Sequence, residues 1–354
     1  MNADNKDSSK NIYLSSYPSA QALEVKETLY NLYYLSDQHH KLTDCPDAAD
    51  IILIGQPGNE LKGSDYIREI KENNFLELYS EKCFAVSLFR ANHFFLTQGI
   101  YESGINSFLL RNRIQSGCYV PRSFNPEIEK ILRDEKSNES SGKTYLFSFI
   151  GRNSHQIRNK LFSMKFSRED VHIENSSDFN VWDSKIDNAH WRFRYYKDVL
   201  LKSKFSLCPR GYGPGSIRLF ESMSLGVSPV IISDEWTLPH GPDWESFSII
   251  IKSRDLVRLE SIISEYEESY AMMGKEAEKA YKKYFSDEEY FNYIVSECSR
   301  IENNPKFPEK FHWKFRSVYI RYYIVAYWLR SQKKELNNYT DLILTKMKKL
   351  LKWI

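Results

Sequence analysis

Between residues 210 and 235 the chain gathers the side chains best suited to chemistry. The run Arg210-Gly211-Tyr212-Gly213-Pro214-Gly215-Ser216 sets a permanent cation beside three glycines, which tolerate positive φ and the close approach of a ligand. Ser216 is placed to cap a helix whose free N–H groups and positive dipole end then face the turn. That describes an anion site built from backbone, with arginine added. Arg218 and Glu221 lie one turn apart on that helix, away from its small and apolar face, and Ser233-Asp234-Glu235-Trp236 follows the next strand. Taken singly, these are an ordinary tight turn and an ordinary surface ion pair. Together they favour a phosphate-bearing ligand.

The elements that must position these groups are legible around them. Phe205 to Cys208 is a short apolar strand that stops at Pro209, and Val227 to Ile232 is a nearly all-apolar strand suited to burial on both faces of a parallel sheet. Gly226 ends the helix between them. In such sheets ligands bind beyond the carboxyl ends of the strands, where Asp234 and Glu235 fall. Upstream, Thr144 to Ile150 reads as a strand leading into Gly151-Arg152-Asn153-Ser154 and a helix carrying Arg158. Arg152 suits a diphosphate, because a planar guanidinium matches phosphate oxygens; the plain alternative is a surface arginine. Val171 to Ile173 reads as another strand, and Trp191 to Leu201 as the helix that delivers the chain into the central motif.

The segment CPRGYGPGSIRLFESMSLGVSPVIISDEWTLP closely resembles the exostosin-type glycosyltransferases, a GT47-like family. These show a Cys-Pro-Arg-Gly turn, a Phe-Arg-Leu-Phe-Glu-Ala helix, a Pro-Val-Val strand and an Asp-Gly-Trp-Glu-Leu-Pro loop. Phe149-Ile150-Gly151-Arg152 with Arg158, and Ala91-Asn92-His93-Phe94-Phe95, resemble two further family segments, so the likeness spans roughly residues 80 to 240. It implies a GT-B fold, with two Rossmann-like α/β domains facing across a cleft. It also implies a nucleotide-sugar donor held by the C-terminal domain, inversion at the transferred sugar, and no bound metal or other cofactor. The family follows its His-Phe segment with His-Asp before a glycine; this chain has Thr97-Gln98-Gly99 instead.

The 354 residues, 42% hydrophobic and 27% charged, suit two globular domains. The expected division is an N-terminal acceptor-side domain over 1–135, a C-terminal nucleotide-sugar domain over 143–300, and a helical basic and aromatic tail over 301–354. In the first part, Asn11 to Leu14 reads as a strand, Ala20 to Leu35 as a helix with Leu23, Leu29, Leu32 and Tyr33 inward, and Ile51 to Ile54 as an apolar strand. Ser64 to Asn73 reads as helical, and Asp255 to Tyr284 as a long periodic helix. A net charge of +2 argues against a protein that coats nucleic acid. The five cysteines lack the close spacing of zinc or redox sites and read as reduced core thiols. No apolar run is long enough to span a bilayer and the opening MNADNKDSSK is polar, so the expectation is a cytoplasmic enzyme, a bacterial relative of the family. The tail interleaves aromatics with arginines and closes on Lys346, Lys348, Lys349 and Lys352. It reads either as a peripheral contact with an anionic inner-membrane surface or, in its first part, as a helix packed back across the N-terminal domain.

The expected reaction moves a sugar from a nucleotide sugar, a UDP-sugar in the first instance, to a glycan or lipid-linked saccharide in surface polysaccharide synthesis. Glu221 is expected on the ribose hydroxyls, and Arg210, Arg152, Arg158 and Arg218 with the turn Gly211, Tyr212, Gly213 and Ser216 around the diphosphate. Asp234 or Glu235 then meets the donor sugar, and His93, Asp234 and Glu102 are the candidate bases. A catalytically silent nucleotide-sugar or glycan-binding scaffold is the alternative.

Overall fold

The computed structural model describes residues 8–17, 19–56, 74–88, 97–102, 104, 112–120, 125–134, 142–178, 189–303 and 308–315. His93, the Ser64 to Asn73 helix and the lysine-rich end of the chain lie outside them.

The first sheet is built from β1 (Asn11–Ser16), β2 (Lys41–Leu42), β3 (Ile51–Gly55), β4 (Cys83–Ser87), β5 (Gly99–Tyr101) and β6 (Ile114–Ser116). They lie in the order β2-β1-β3-β4-β5-β6, every pairing parallel. All five residues of β3 and of β4 are buried, the signature of parallel strands covered on both faces. Helix α1 (Ala20–Leu35) begins at Ser19, whose hydroxyl accepts the Ala22 N–H at 3.2 Å. Its bounds agree with the sequence expectation, but its buried stripe is Ala22, Val25, Leu29 and Leu32. Leu23 is 49% exposed because it falls off that 3.6-residue stripe. A short helix, α2 (Asn74–Leu78), precedes β4.

After α3 (Pro126–Asp134) the chain builds a second sheet in the order β11-β10-β9-β7-β8, again all parallel. Its elements follow in sequence as β7 (Tyr145–Gly151), α4 (Gln156–Ser163), β8 (Val171–Asn175), α5 (Ala189–Leu201), β9 (Ser203–Pro209), α6 (Ile217–Ser224), β10 (Ser228–Ile232), α7 (Trp244–Phe247) and β11 (Ile249–Ile251). Gly226, at φ +66°, turns the chain out of α6 and into β10.

The region from Asp255 to Tyr284 is not one helix. A 3-10 stretch at Ser253–Arg258 leads into α8 (Leu259–Glu265), and a second at Glu267–Ser269 separates α8 from α9 (Tyr270–Tyr284). The break falls where Glu267 turns towards Lys204 (2.6 Å) and Arg168 (2.8 Å). Helix α10 (Asp287–Glu302) then returns across the first sheet, packing on α1 and β5. Tyr290 accepts the Cys118 N–H at 2.7 Å, and the Phe291 ring lies 5.2 Å from that of Tyr33. In α11 (Glu309–Lys314), Glu309 pairs with buried Arg113 and Trp313 joins the core around Tyr17 and Ile52. The described start of the tail is therefore packed back on the first sheet. Of the five cysteines, Cys83, Cys118, Cys208 and Cys298 are buried, while Cys45 is exposed. Among the described residues no helix is long and apolar enough to cross a membrane.

Candidate functional site

In the second sheet the chain leaves β7 for β8 on one side and continues to β9 on the other. The loops at the carboxyl ends of β7 and β9 therefore diverge, which opens the crevice where doubly wound sheets bind ligands. Gly151-Arg152 and Pro209-Arg210 sit at those two ends.

Arg158, in the first turn of α4, holds the crevice together. Its Nε donates to Arg210 O at 2.9 Å, Nη2 to Pro209 O at 3.0 Å and Nη1 to Arg152 O at 3.2 Å. A guanidinium that donates to three strand-end carbonyls shapes the site, with much of its hydrogen-bonding capacity engaged. The Gly211 turn rests against it: a Cβ at Gly211 would lie 3.1 Å from Arg158 Nη2 and 3.3 Å from Ser154 Oγ. The glycines with positive φ among the described residues are Gly99, Gly226 and Gly241. Gly211 and Gly215 thus provide room for close packing and do not serve a left-handed turn.

Arg218 is likewise turned inward and is no surface ion-pair partner. It lies over the Phe149 ring (4.6 Å) and the Tyr196 ring (5.4 Å), and donates from Nε to the Tyr196 hydroxyl at 3.1 Å and from Nη2 to Ile150 O. The Tyr196 hydroxyl in turn donates to Glu221 Oε2 at 2.6 Å. Burial holds that hydroxyl well above the usual phenol range, so it stays protonated and keeps donating. Glu221, expected on the ribose hydroxyls, is only 5% exposed, so its carboxylate is closed off from solvent. Residues 22 positions or more apart in the chain meet here, and no local pattern signals it.

At the mouth, Arg152 and Tyr212 are exposed. Arg210 pairs through Nη1 with Glu235 Oε2 at 2.6 Å, the arginine side chain 14% and the glutamate 66% exposed. Ser216 is the N-cap residue of α6 by backbone geometry, but its side chain makes no capping bond, so the first N–H groups of α6 are left to other acceptors. Asp234 accepts the Ser253 N–H at 2.9 Å; hydrogen bonding from Ser253, first from its side chain and then from that N–H, outweighs the opposing effect of burial and holds its carboxyl below the usual aspartate range. A carboxylate so stabilised is a weaker proton acceptor.

His155, absent from the sequence reading, caps α4 by accepting the Ile157 N–H at Nδ1, 3.2 Å away. Burial first, then the charges of Arg210 and Arg158, lower its pKa and favour the neutral ring. Its place directly after Gly151-Arg152-Asn153-Ser154 was the available signal.

The first sheet meets this site at Gly215. A Cβ there would lie 3.0 Å from the Tyr119 hydroxyl, 3.3 Å from Glu102 O and 3.3 Å from Trp236 Cε2. Glu102, one residue beyond β5, is fully buried and accepts from Ser87 Oγ at 3.1 Å. The loop after β10 is tied to the same sheet, since Thr237 N donates to Gly104 O at 3.1 Å and Ser116 Oγ donates to Thr237 O.

The geometry thus defines a parallel α/β protein with a cation-lined crevice at one switch point. Residues 101–266, a little under half of the chain, match the Exostosin GT47 domain. It is 27% identical over 188 residues to Exostosin-1 of Drosophila melanogaster, covering 49% of this chain and 25% of that protein. It is 31% identical over 140 residues to a probable glucuronosyltransferase of Oryza sativa subsp. japonica, covering 39% and 30%. The chain therefore spans about a quarter to a third of the length of these curated relatives. Among solved structures, an alpha1,3-fucosyltransferase aligns at TM-score 0.38 and 16% identity over 86% of this chain and 93% of that one.

Proposed function

We propose that the chain is a glycosyltransferase that inverts the anomeric centre of a nucleotide sugar, a UDP-sugar in the first instance, and transfers the sugar to a glycan or lipid-linked saccharide without a metal ion. The observation that carries this reading is that Arg158 ties the carbonyls of Arg152 and Arg210 together at the β7/β9 switch point, with the uncapped start of α6 at the end of the turn that follows Arg210. An anion placed there takes helix N–H groups on one side and guanidinium groups on the other, which neutralises a leaving diphosphate. Arg158 and Arg218 serve by shaping the crevice. Glu221 supports the ribose from its bond with Tyr196, whose hydroxyl is the group able to exchange partners when a diol enters.

The base in this reading is Glu102. It directly follows β5 of the opposite sheet, where an acceptor would approach, and its backbone abuts the Gly215 turn. Asp234 is disfavoured by its bond to Ser253. The lysines from Lys346 to Lys352 would hold the enzyme at an anionic membrane surface, consistent with a lipid-linked acceptor.

Calorimetric titration with UDP, run beside a donor-hydrolysis assay on the wild type and Glu102→Gln, tests the reading. Wild type should bind UDP and turn over a UDP-sugar, and Glu102→Gln should bind UDP as well but lose turnover. Tight binding with no turnover by the wild type on any acceptor would leave a sugar-nucleotide-binding module instead.

A further inference from the structure

On the loops beyond the carboxyl ends of β9 and β10, three enclosed hydrogen-bond donors meet no acceptor among the described residues: Trp236 Nε1, Ser233 Oγ and Arg210 Nε. Trp236 is 9% and Ser233 4% exposed. They come from adjacent strand ends, since the Arg210 N–H donates to Ile232 O at 3.0 Å and Glu235 reaches back to Arg210 Nη1 at 2.6 Å. The indole edge faces the turn: Cε2, the ring carbon bonded to Nε1, lies 3.3 Å from the Cβ position of Gly215. Indole and guanidinium N–H groups donate only, whereas serine can do either. Buried donors are almost always paired in folded proteins, because leaving them unpaired is costly. Three on neighbouring loops of one crevice indicate a surface that a ligand completes.

We propose that Trp236 Nε1, Ser233 Oγ and Arg210 Nε, together with the Glu235 carboxylate, recognise the hydroxyl groups of an uncharged donor sugar, and that Trp236 is a specificity-determining residue. This rests on the nucleotide-sugar reading above. A sugar hydroxyl fits the set because it accepts from the indole N–H while donating to Glu235. A uronate carboxylate only accepts, and it would face Glu235 and Asp234 across a site where Arg210 is already paired and Lys252 lies beside Asp234. Entry of the sugar requires the turn to part from Trp236, and Gly215 offers no side chain to hold them together.

The test compares affinities for UDP, UDP-glucose and UDP-glucuronate in the wild type, Trp236→Phe and Ser233→Ala, with melting temperatures to confirm folding. Trp236→Phe keeps the ring and removes the N–H. It should weaken UDP-glucose binding about 5- to 10-fold, the worth of one neutral hydrogen bond, and leave UDP unchanged. Ser233→Ala, the smaller change, should act in the same direction. Wild type should prefer UDP-glucose to UDP-glucuronate. An equal effect of Trp236→Phe on UDP and UDP-glucose, no effect on either, or a preference for UDP-glucuronate would overturn the inference while the nucleotide reading stands. Failure of the wild type to bind any of the three would remove both.

Discussion

The hydroxyl of Tyr196 donates to Glu221 Oε2 at 2.6 Å while receiving Arg218 Nε at 3.1 Å, so one phenol joins a carboxylate and a guanidinium that lie on the same helix but do not pair directly. The bridge spans α5 and α6 and places the only buried carboxylate described on α6 at the rear of the crevice.

Loss of that carboxylate should therefore cost both stability and nucleotide binding. Glu221→Ala leaves the Tyr196 hydroxyl without its acceptor, and we expect unfolding free energy to fall by about 1–3 kcal/mol. Glu221→Gln should recover most of that loss, because its amide oxygen still accepts, yet bind UDP more weakly than the wild type. Urea melts beside UDP titrations of the two variants separate these effects; a Glu221→Gln variant with wild-type UDP affinity would take Glu221 out of the site.

Arg210→Ala should lower turnover by about 100-fold while hardly changing affinity for uridine, because the charge it answers grows as the diphosphate leaves. Equal losses of uridine and UDP binding would contradict that role. Activity of the wild type should persist in EDTA, and dependence on added Mn²⁺ would mean that the arginines and the α6 N-terminus do not suffice.

Backbone packing beneath the site gives a prediction that needs no ligand. A Cβ at Gly274 in α9 would lie 2.2 Å from Gly226 O, whereas Gly226 has room for one but adopts φ +66°. Gly226→Ala should cost about 1 kcal/mol from its left-handed conformation. Gly274→Ala must displace main chain and should cost more. Comparing the two midpoints in urea decides the order.

His312 in α11 should make stability depend on pH. Burial first, and then the charge of Arg113, lower its pKa from 6.5 to about 4, so the unfolded chain binds the proton more readily than the folded one. Stability from this group is thus complete above pH 6.5 and falls as the pH drops from 6.5 towards about 4. His312→Gln should flatten the melting temperature over that window relative to the wild type.

At the end of the chain, four lysines near an anionic surface contribute on the order of 1 kcal/mol each. The intact protein should co-sediment with vesicles containing anionic lipid, high salt should release it, and removal of the residues after Asp341 should abolish the association while sparing UDP binding. Undiminished sedimentation of the truncated protein would show that the tail is not the anchor.

Local pattern sufficed for much of the scaffold. Helix Ala20–Leu35, the strand ending at Pro209, the turn out of α6 at Gly226 and the apolar strand before Ser233 could all be read directly, because caps, glycine and periodicity act within a few residues. That Arg210 follows β9 and Glu235 follows β10, so that both lie beyond the carboxyl ends of neighbouring strands, was likewise legible along the chain. What the side chains do was decided elsewhere. Arg158 and Arg218 have the residue type of phosphate ligands, but their orientation depends on Arg210 O and Pro209 O in one case and on Phe149 and Tyr196 in the other, all distant in sequence. Glu221 is buried because α5 brings Tyr196 over it, and the Trp236 edge is enclosed because the first sheet and the Gly215 turn close on it. Hydrogen-bond partners and burial are properties of which surfaces meet, so they emerge only once the two sheets and the helices returning across them are assembled.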